Sequence, residues 1–386
     1  MTGDFLMTRF RVWAPLADRV QLVHGEARHP MTAGERGWWS ADVPRARADT
    51  DYAFVVDGGE PLPDPRSPWQ PRGVHGPSRL VDHAAFPWTD TGWQPSPLAS
   101  AVMYELHVGT FTPAGTFEAN TILTGERDGY YADFGTLADL AKALERAFVY
   151  DGRYSVFRRR RHGKAPGGLP GHRFVVCLQN HDQVGNRARG ERVSHLVGAE
   201  CLKVGAALLL TAPFIPLLLQ GQEWAASAPF QYFTDHDDPE LGRAVSEGRR
   251  NEFAAFGWKP EDVPDPQSPQ TFARSKLDWS EPGREPHASL LDWHRQLLRL
   301  RRELPRLGDG GTNETRARFD EAARWLAVER GPVTVACNLG LESARVPVQS
   351  AAHHVRLASD PRVKLVGAGV ELPAPSVAVL VADAHP

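Results

Sequence analysis

The stretch Phe174–Arg189, FVVCLQNHDQVGNRAR, sets chemically capable side chains directly behind an apolar run. Phe174-Val175-Val176-Cys177-Leu178 is unbroken by polar residues, which predicts a strand buried on both faces, as in a parallel sheet. Gln179, Asn180, His181, Asp182 and Gln183 follow at once. Amides and carboxylates can grip hydroxyl groups, and an imidazole can carry a proton near neutral pH. In parallel α/β folds, ligands bind just past the carboxyl ends of buried strands, which is where these residues would stand. A second run, Ile215–Leu219, ends in Gln220, Gly221, Gln222, Glu223 and Trp224. Between the two runs Ser194 is expected to cap a helix reaching Leu210. One strand–helix–strand unit would therefore deliver both polar clusters to the same end of one sheet. Asp235, His236, Asp237 and Asp238 are ligand-type residues, but turn chemistry in a loop explains them better than a metal, and no metal is expected.

The other elements follow from patterning. Residues 1–98 read as a β-sandwich: Arg9–Trp13 and Arg19–Val23 alternate, and Tyr52–Val56 runs into the turn Asp57-Gly58-Gly59. Trp13, Trp38 and Trp39 are expected to help fill its core. Pro61–Leu80 is too rich in Pro and Gly for a helix, and Gln94–Pro97 reads as a linker. A buried strand over 101–108 then carries Tyr104, Glu105 and His107. A helix could open at Gly115–Ala119 but does not continue. Leu137–Tyr150 is an amphipathic helix with Leu137, Leu140, Leu144, Ala147 and Phe148 on one face. Asp151–His172 is expected as a polar loop or lid holding Arg158, Arg159, Arg160 and Arg161. Ser289–Leu304 predicts a further helix, and strands return from about Gly308.

Composition narrows the function. With 386 residues the chain can form two or three domains, and its net charge of −3 gives no reason to expect nucleic acid or an anionic membrane as partner. Cys177, Cys201 and Cys337 are too few and too scattered for a disulfide framework or a zinc site. The longest apolar stretch, Val204–Leu219, is broken by Gly205, Pro213 and Pro216, so no membrane span is expected, and no signal peptide is evident. The cytoplasm is the expected location.

Several motifs now carry a resemblance. FRVWAP (Phe10–Pro15), PDPRSPWQPRGVHGPS (Pro63–Ser78), YELHVGTFTPAGTF (Tyr104–Phe117), QNHDQVGNR (Gln179–Arg187) and PFQYFTDHDDPEL (Pro229–Leu241) resemble the malto-oligosyltrehalose trehalohydrolases, within the α-amylase-type glycoside hydrolases. The resemblance implies an N-terminal immunoglobulin-like domain at 1–98, a (β/α)8 catalytic barrel at 99–307 and a small C-terminal β-domain at 308–386. It also implies cleavage of the α-1,4 bond beside a terminal trehalose unit, in trehalose biosynthesis, without a cofactor. Malto-oligosyltrehalose or a related α-glucan would be the partner.

Three carboxylates do this chemistry in that family, and only one finds a position here. Asp182 corresponds to the transition-state stabiliser, with Asn180, His181 and Gln183 as substrate-binding neighbours. A fixed carboxylate can hold sugar hydroxyls more tightly as the ring flattens toward an oxocarbenium ion. No stretch resembles the strands that carry the nucleophile or the acid/base. Around Ala119–Thr121 the chain passes from the first-strand region to what normally follows the sixth strand, so strands two to six are expected to be missing. The barrel would then be a remnant, and the chain catalytically inactive. The alternative is a non-catalytic carbohydrate-binding protein. A makeshift pair of Asp182 and Glu223 is disfavoured, since the Glu223 position reads as a structural carboxylate.

Overall fold

The computed structural model describes residues 7–107 and 133–382, together with residue 123, apart from 45, 47, 83, 84, 86, 88, 90, 91, 93, 95, 96, 255–257 and 349–352. The expected helix start at Gly115–Ala119 and the Ala119–Thr121 junction lie outside the described residues. Two compact units are present, Met1–Gln94 and Pro95–Pro386.

The first unit is built from seven described strands: β1 (Met7–Trp13), β2 (Val20–His24), β3 (Ala27–Pro30), β4 (Thr32–Ala33), β5 (Trp38–Pro44), β6 (Asp51–Val56) and β7 (Ser78–Arg79). They form two sheets, β1-β5-β4 and β3-β2-β6-β7. Alternation decides which side chains are internal: Phe10 and Val12 of β1 point inward with Val20, Leu22, Val43, Tyr52 and Phe54. Trp13 falls on the opposite parity, so it is 59% exposed rather than a core residue. Trp38 likewise carries the guanidinium groups of Arg11 and Arg66, each 4.8 Å from its ring centre, and only Trp39 packs against the core. Tyr52 donates to Asp64 at 2.9 Å, and the Asp64 amide donates to Ser78 at 2.8 Å, so these three buried polar residues are paired within the unit. Residues 1–94 expressed alone should therefore fold, giving dispersed amide signals in a proton–nitrogen NMR spectrum. Collapsed amide shifts would refute this.

The second unit holds the α/β part. The strands β8 (Met103–Glu105), β11 (Val175–Cys177) and β12 (Ile215–Leu219) make a parallel sheet in the order β11-β12-β8. Leu217–Leu219 pair with Met103–Glu105, and Ile215–Leu217 with Val175–Cys177. Of these three parallel strands, the first in sequence, β8, thus lies beside the last, β12. Both outer edges carry uncovered apolar groups: Met103, Tyr104 and Leu106 are each 41% exposed and Val175 38%.

Helix α1 (Leu137–Arg146) begins with a capping box, the Thr136 hydroxyl accepting from the Asp139 amide at 3.1 Å. It stops four residues short of the expected Tyr150 because Ala147 turns to a φ of 71°. The expected polar loop at Asp151–His172 contains a hairpin instead, β9 (Asp151–Ser155) with β10 (Arg160–Gly163). Asp133 holds it, accepting from the Val156 amide at 2.6 Å and the Tyr150 hydroxyl at 2.7 Å.

After β11 come α2 (His181–Gly185), α3 (Val193–Leu196) and α4 (Ala199–Thr211). The single helix expected from Ser194 is divided here, since Val197 is extended and Gly198 starts α4. Helices α5 (Pro239–Ala254), α6 (Pro269–Arg274), α7 (His287–Glu303) and α8 (Pro305–Gly308) follow. The C-terminal strands are β13 (Thr315–Asp320), β14 (Trp325–Arg330), β15 (Val333–Asn338), β16 (Ala344–Pro347), β17 (His353–Ala358), β18 (Lys364–Leu365), β19 (Gly369–Leu372) and β20 (Ser376–Ala382). They form the sheets β13-β14-β15-β20-β17 and β16-β19-β18.

One core runs across the expected 307/308 boundary, joining Leu140 and Leu144 of α1, Val204 and Leu208 of α4, Leu297 of α7 and Leu326, Val335 and Val379 of the sheet. The α4 C-terminus leaves its last carbonyls without helical partners inside this core. Two buried arginines satisfy them. Arg301 donates to the carbonyls of Leu210, Ala212 and Phe214 at 2.8–2.9 Å, and Arg330 to that of Thr211 at 2.9 Å. Cations here also oppose the negative end of the helix dipole. Arg330 further binds Asp309 at 2.9 Å.

His294 is buried in α7, with its Nδ1 at 2.9 Å from the Leu290 carbonyl. Desolvation pushes its pKa down to about 4. The folded chain therefore keeps it neutral while the unfolded chain takes up a proton below about 6.5. Stability contributed by this histidine is intact above pH 6.5 and falls as pH drops from 6.5 toward 4. Between pH 6.5 and 5, roughly 2 kcal/mol should be lost through this group. Urea unfolding at both pH values checks it: His294→Gln should show a correspondingly shallower loss than wild type. Parallel losses would exclude His294 as the cause.

Candidate functional site

The site grows from the carboxyl ends of β8, β11 and β12. Asn180 caps α2, its Oδ1 accepting from the Gln183 amide at 2.8 Å. That cap turns the chain sharply after β11 and places His181 and Asp182 on the first helical turn. Asp182 is the exposed member, with 65% of its side chain open to solvent. His181 Nε2 lies 3.2 Å from Asp182 Oδ1, and its Nδ1 faces Glu105 Oε1 at 3.7 Å. Burial holds the His181 pKa below its ordinary value; Asp182 opposes this and His107 adds to it. His181 is thus a neutral donor and acceptor at neutral pH. Phe230 meets the rings of both His107 and His181 edge-on, at 6.4 and 6.2 Å between centres.

Glu223 has a different setting. Tyr104 donates its hydroxyl to Glu223 Oε1 at 2.7 Å and accepts from the Gly221 amide at 3.3 Å. Desolvation raises the Glu223 pKa, with Tyr104 pulling against it. Arg192, fully buried, donates to the Ala228 carbonyl at 2.6 Å and to that of Gln220 at 2.7 Å. It clamps the turn after β12 with its charge near Glu223, while burial pushes its pKa down to about 10. The Val193 amide donates to Gln179 at 2.9 Å, tying α3 to the end of β11.

Four sequence-predicted residues thus stand together after β11, with unequal access. Asp182 faces solvent and His181 is half-buried, whereas Asn180 and Gln183 are buried. Gln183 Oε1 also accepts from the Cys177 thiol at 3.7 Å. Glu223 Oε1 is held by Tyr104, while its Oε2 is buried without a hydrogen-bond partner among the described residues. Asp235–Asp238 lie in a loop before α5, and no cluster of three or more metal-type ligands occurs among the described residues. Sequence reasoning missed Arg192, Phe230 and the Tyr104–Glu223 bond. Only the polar residues ending the 101–108 run hinted at β8's part.

Comparison with known proteins places this geometry. The carbohydrate-binding module 48 (isoamylase N-terminal domain) family matches residues 4–70, and a domain of unknown function, DUF3459, matches residues 310–379. A crystal structure of a putative alpha amylase from Salmonella typhimurium shares the fold, with a TM-score of 0.83 and 24% identity over 99% of this chain and 98% of that one. The fold is of the α-amylase type, with a match to carbohydrate-binding module 48 at its N-terminal end. Two named relatives narrow this. The malto-oligosyltrehalose trehalohydrolase of Arthrobacter ramosus is 32% identical, covering 96% of this chain and 99% of its own length. That of Rhizobium sp. (strain M-11) is 30% identical, with 96% and 97% covered. The chain belongs to the malto-oligosyltrehalose trehalohydrolase family. These alignments run over 579 and 581 residues, far beyond the 386 of this chain, so the relatives carry residues with no counterpart here. No helix among the described residues is long and apolar enough to cross a membrane.

Proposed function

We propose that this chain holds an α-glucan of the malto-oligosyltrehalose type through Asp182 and does not cleave it. In this reading residues 99–307 are an incomplete barrel between the N-terminal module and the C-terminal β-domain, with strands two to six missing. The observation that carries it is the sheet: among the described residues its three parallel strands are neighbours in the order β11-β12-β8, and apolar residues are exposed at both outer edges. The length of the alignments to full relatives supports the same reading.

Retaining hydrolysis needs a nucleophile and an acid ~5–5.5 Å apart. Nothing in the sequence resembles the strands that carry them, and Glu223 is committed to Tyr104. Asp182 remains able to accept hydroxyl hydrogen bonds, with His181 beside it as a second polar contact and Asn180 and Gln183 shaping the turn.

Calorimetric titration of a malto-oligosyltrehalose into wild type and Asp182→Ala tests the binding half. A charged hydrogen bond contributes about 1.5–3 kcal/mol, so the substitution should weaken binding roughly tenfold or more. Equal affinities would remove Asp182 from the site.

A further inference from the structure

Trp279 is the most exposed tryptophan among the described residues, at 72%, yet it is firmly braced. Its ring lies 5.2 Å from that of Trp224, which is only 2% exposed and follows β12 directly. Trp224 in turn donates its indole N–H to Glu281 Oε2 at 3.2 Å, and Glu281 also accepts from the Ser227 amide at 3.3 Å. On the near side Leu277 packs close to Gly221, whose amide binds Tyr104. The segment 277–281 is thus anchored on both sides of Trp279 to the turn that leaves β12. That turn stands at the same end of the sheet as Asp182.

Holding a large indole out in water forgoes favourable burial. The bracing keeps the ring pre-oriented, so a ligand stacking on it loses little entropy. Flanking polar groups suit a ligand rich in hydroxyls: Asp278 accepts from Ser280, and Arg284 reaches the Ser280 hydroxyl. We propose that Trp279 is a stacking platform for a glucose ring of the α-glucan held at Asp182, so that one chain spans both. The inference rests on the proposed glucan binding and adds a second contact to it.

The test titrates maltoheptaose into the full chain as wild type, Trp279→Ala, Trp279→Phe and Asp182→Ala, read by calorimetry and by tryptophan emission. Aromatic stacking of this kind should make Trp279→Ala about three- to tenfold weaker, with Trp279→Phe in between. Subtracting Trp279→Ala emission from wild type should leave a signal that responds to sugar. Circular dichroism of each variant guards against misfolding. If Trp279→Ala binds like wild type while Asp182→Ala is weakened, the platform is refuted and the glucan reading stands. If wild type shows no saturable binding, both fall.

Discussion

Incubated with maltotriosyltrehalose at neutral pH, the purified chain should leave the substrate intact. General acid–base catalysis alone is worth about 10²–10⁴-fold, and covalent catalysis by the nucleophile would be lost as well. In the proposed reading Asp182 stabilises charge and does not by itself break bonds. Chromatographic quantification of trehalose checks this over long incubation. Release above trace level that Asp182→Ala abolishes would contradict it. Such a result would put Asp182 and Glu223 forward as a working pair despite the hydrogen bond that occupies Glu223.

The second large effect is on stability. Arg330 is 2% exposed and joins the C-terminal sheet to the α4 terminus through Thr211, to the Leu307 carbonyl and to Asp309. Replacing it with leucine fills the volume but strands those acceptors. Removing one partner of a buried charged network typically costs about 3–5 kcal/mol. Urea unfolding of Arg330→Leu should show a loss of that order. A shift below about 1 kcal/mol would mean that water replaces the guanidinium easily.

How much of this was legible follows from what each signal needs. β12 was predicted residue for residue, because five consecutive apolar residues between turn signals leave little freedom. β11 was placed correctly, but Val175 is 38% exposed where burial on both faces was expected; the polar run behind it, which leads into α2, contains Asp182. The β9–β10 hairpin was not, since its tip, Val156–Arg159, has no Gly, Pro or Asn, and Arg159 supplies the positive φ of 53°. What holds that hairpin is Asp133, a long-range contact that no local pattern encodes. The same applies to Tyr104 and Glu223, which lie 119 residues apart. Trp13 was misread because aromatic type was given weight over strand parity, and parity decided. Arginine is usually a surface residue, and only the arrangement of buried carbonyls shows why Arg192 and Arg330 are inside.

The central claim is that the glucan-holding part of the site persists without bond cleavage. Saturation-transfer NMR on a malto-oligosyltrehalose reports both halves in one sample. Binding without cleavage should give transfer from protein to glucose ring protons in wild type, sharply reduced in Asp182→Ala, with no free trehalose signal growing over time. A rising trehalose signal, or the same transfer in both proteins, would contradict it.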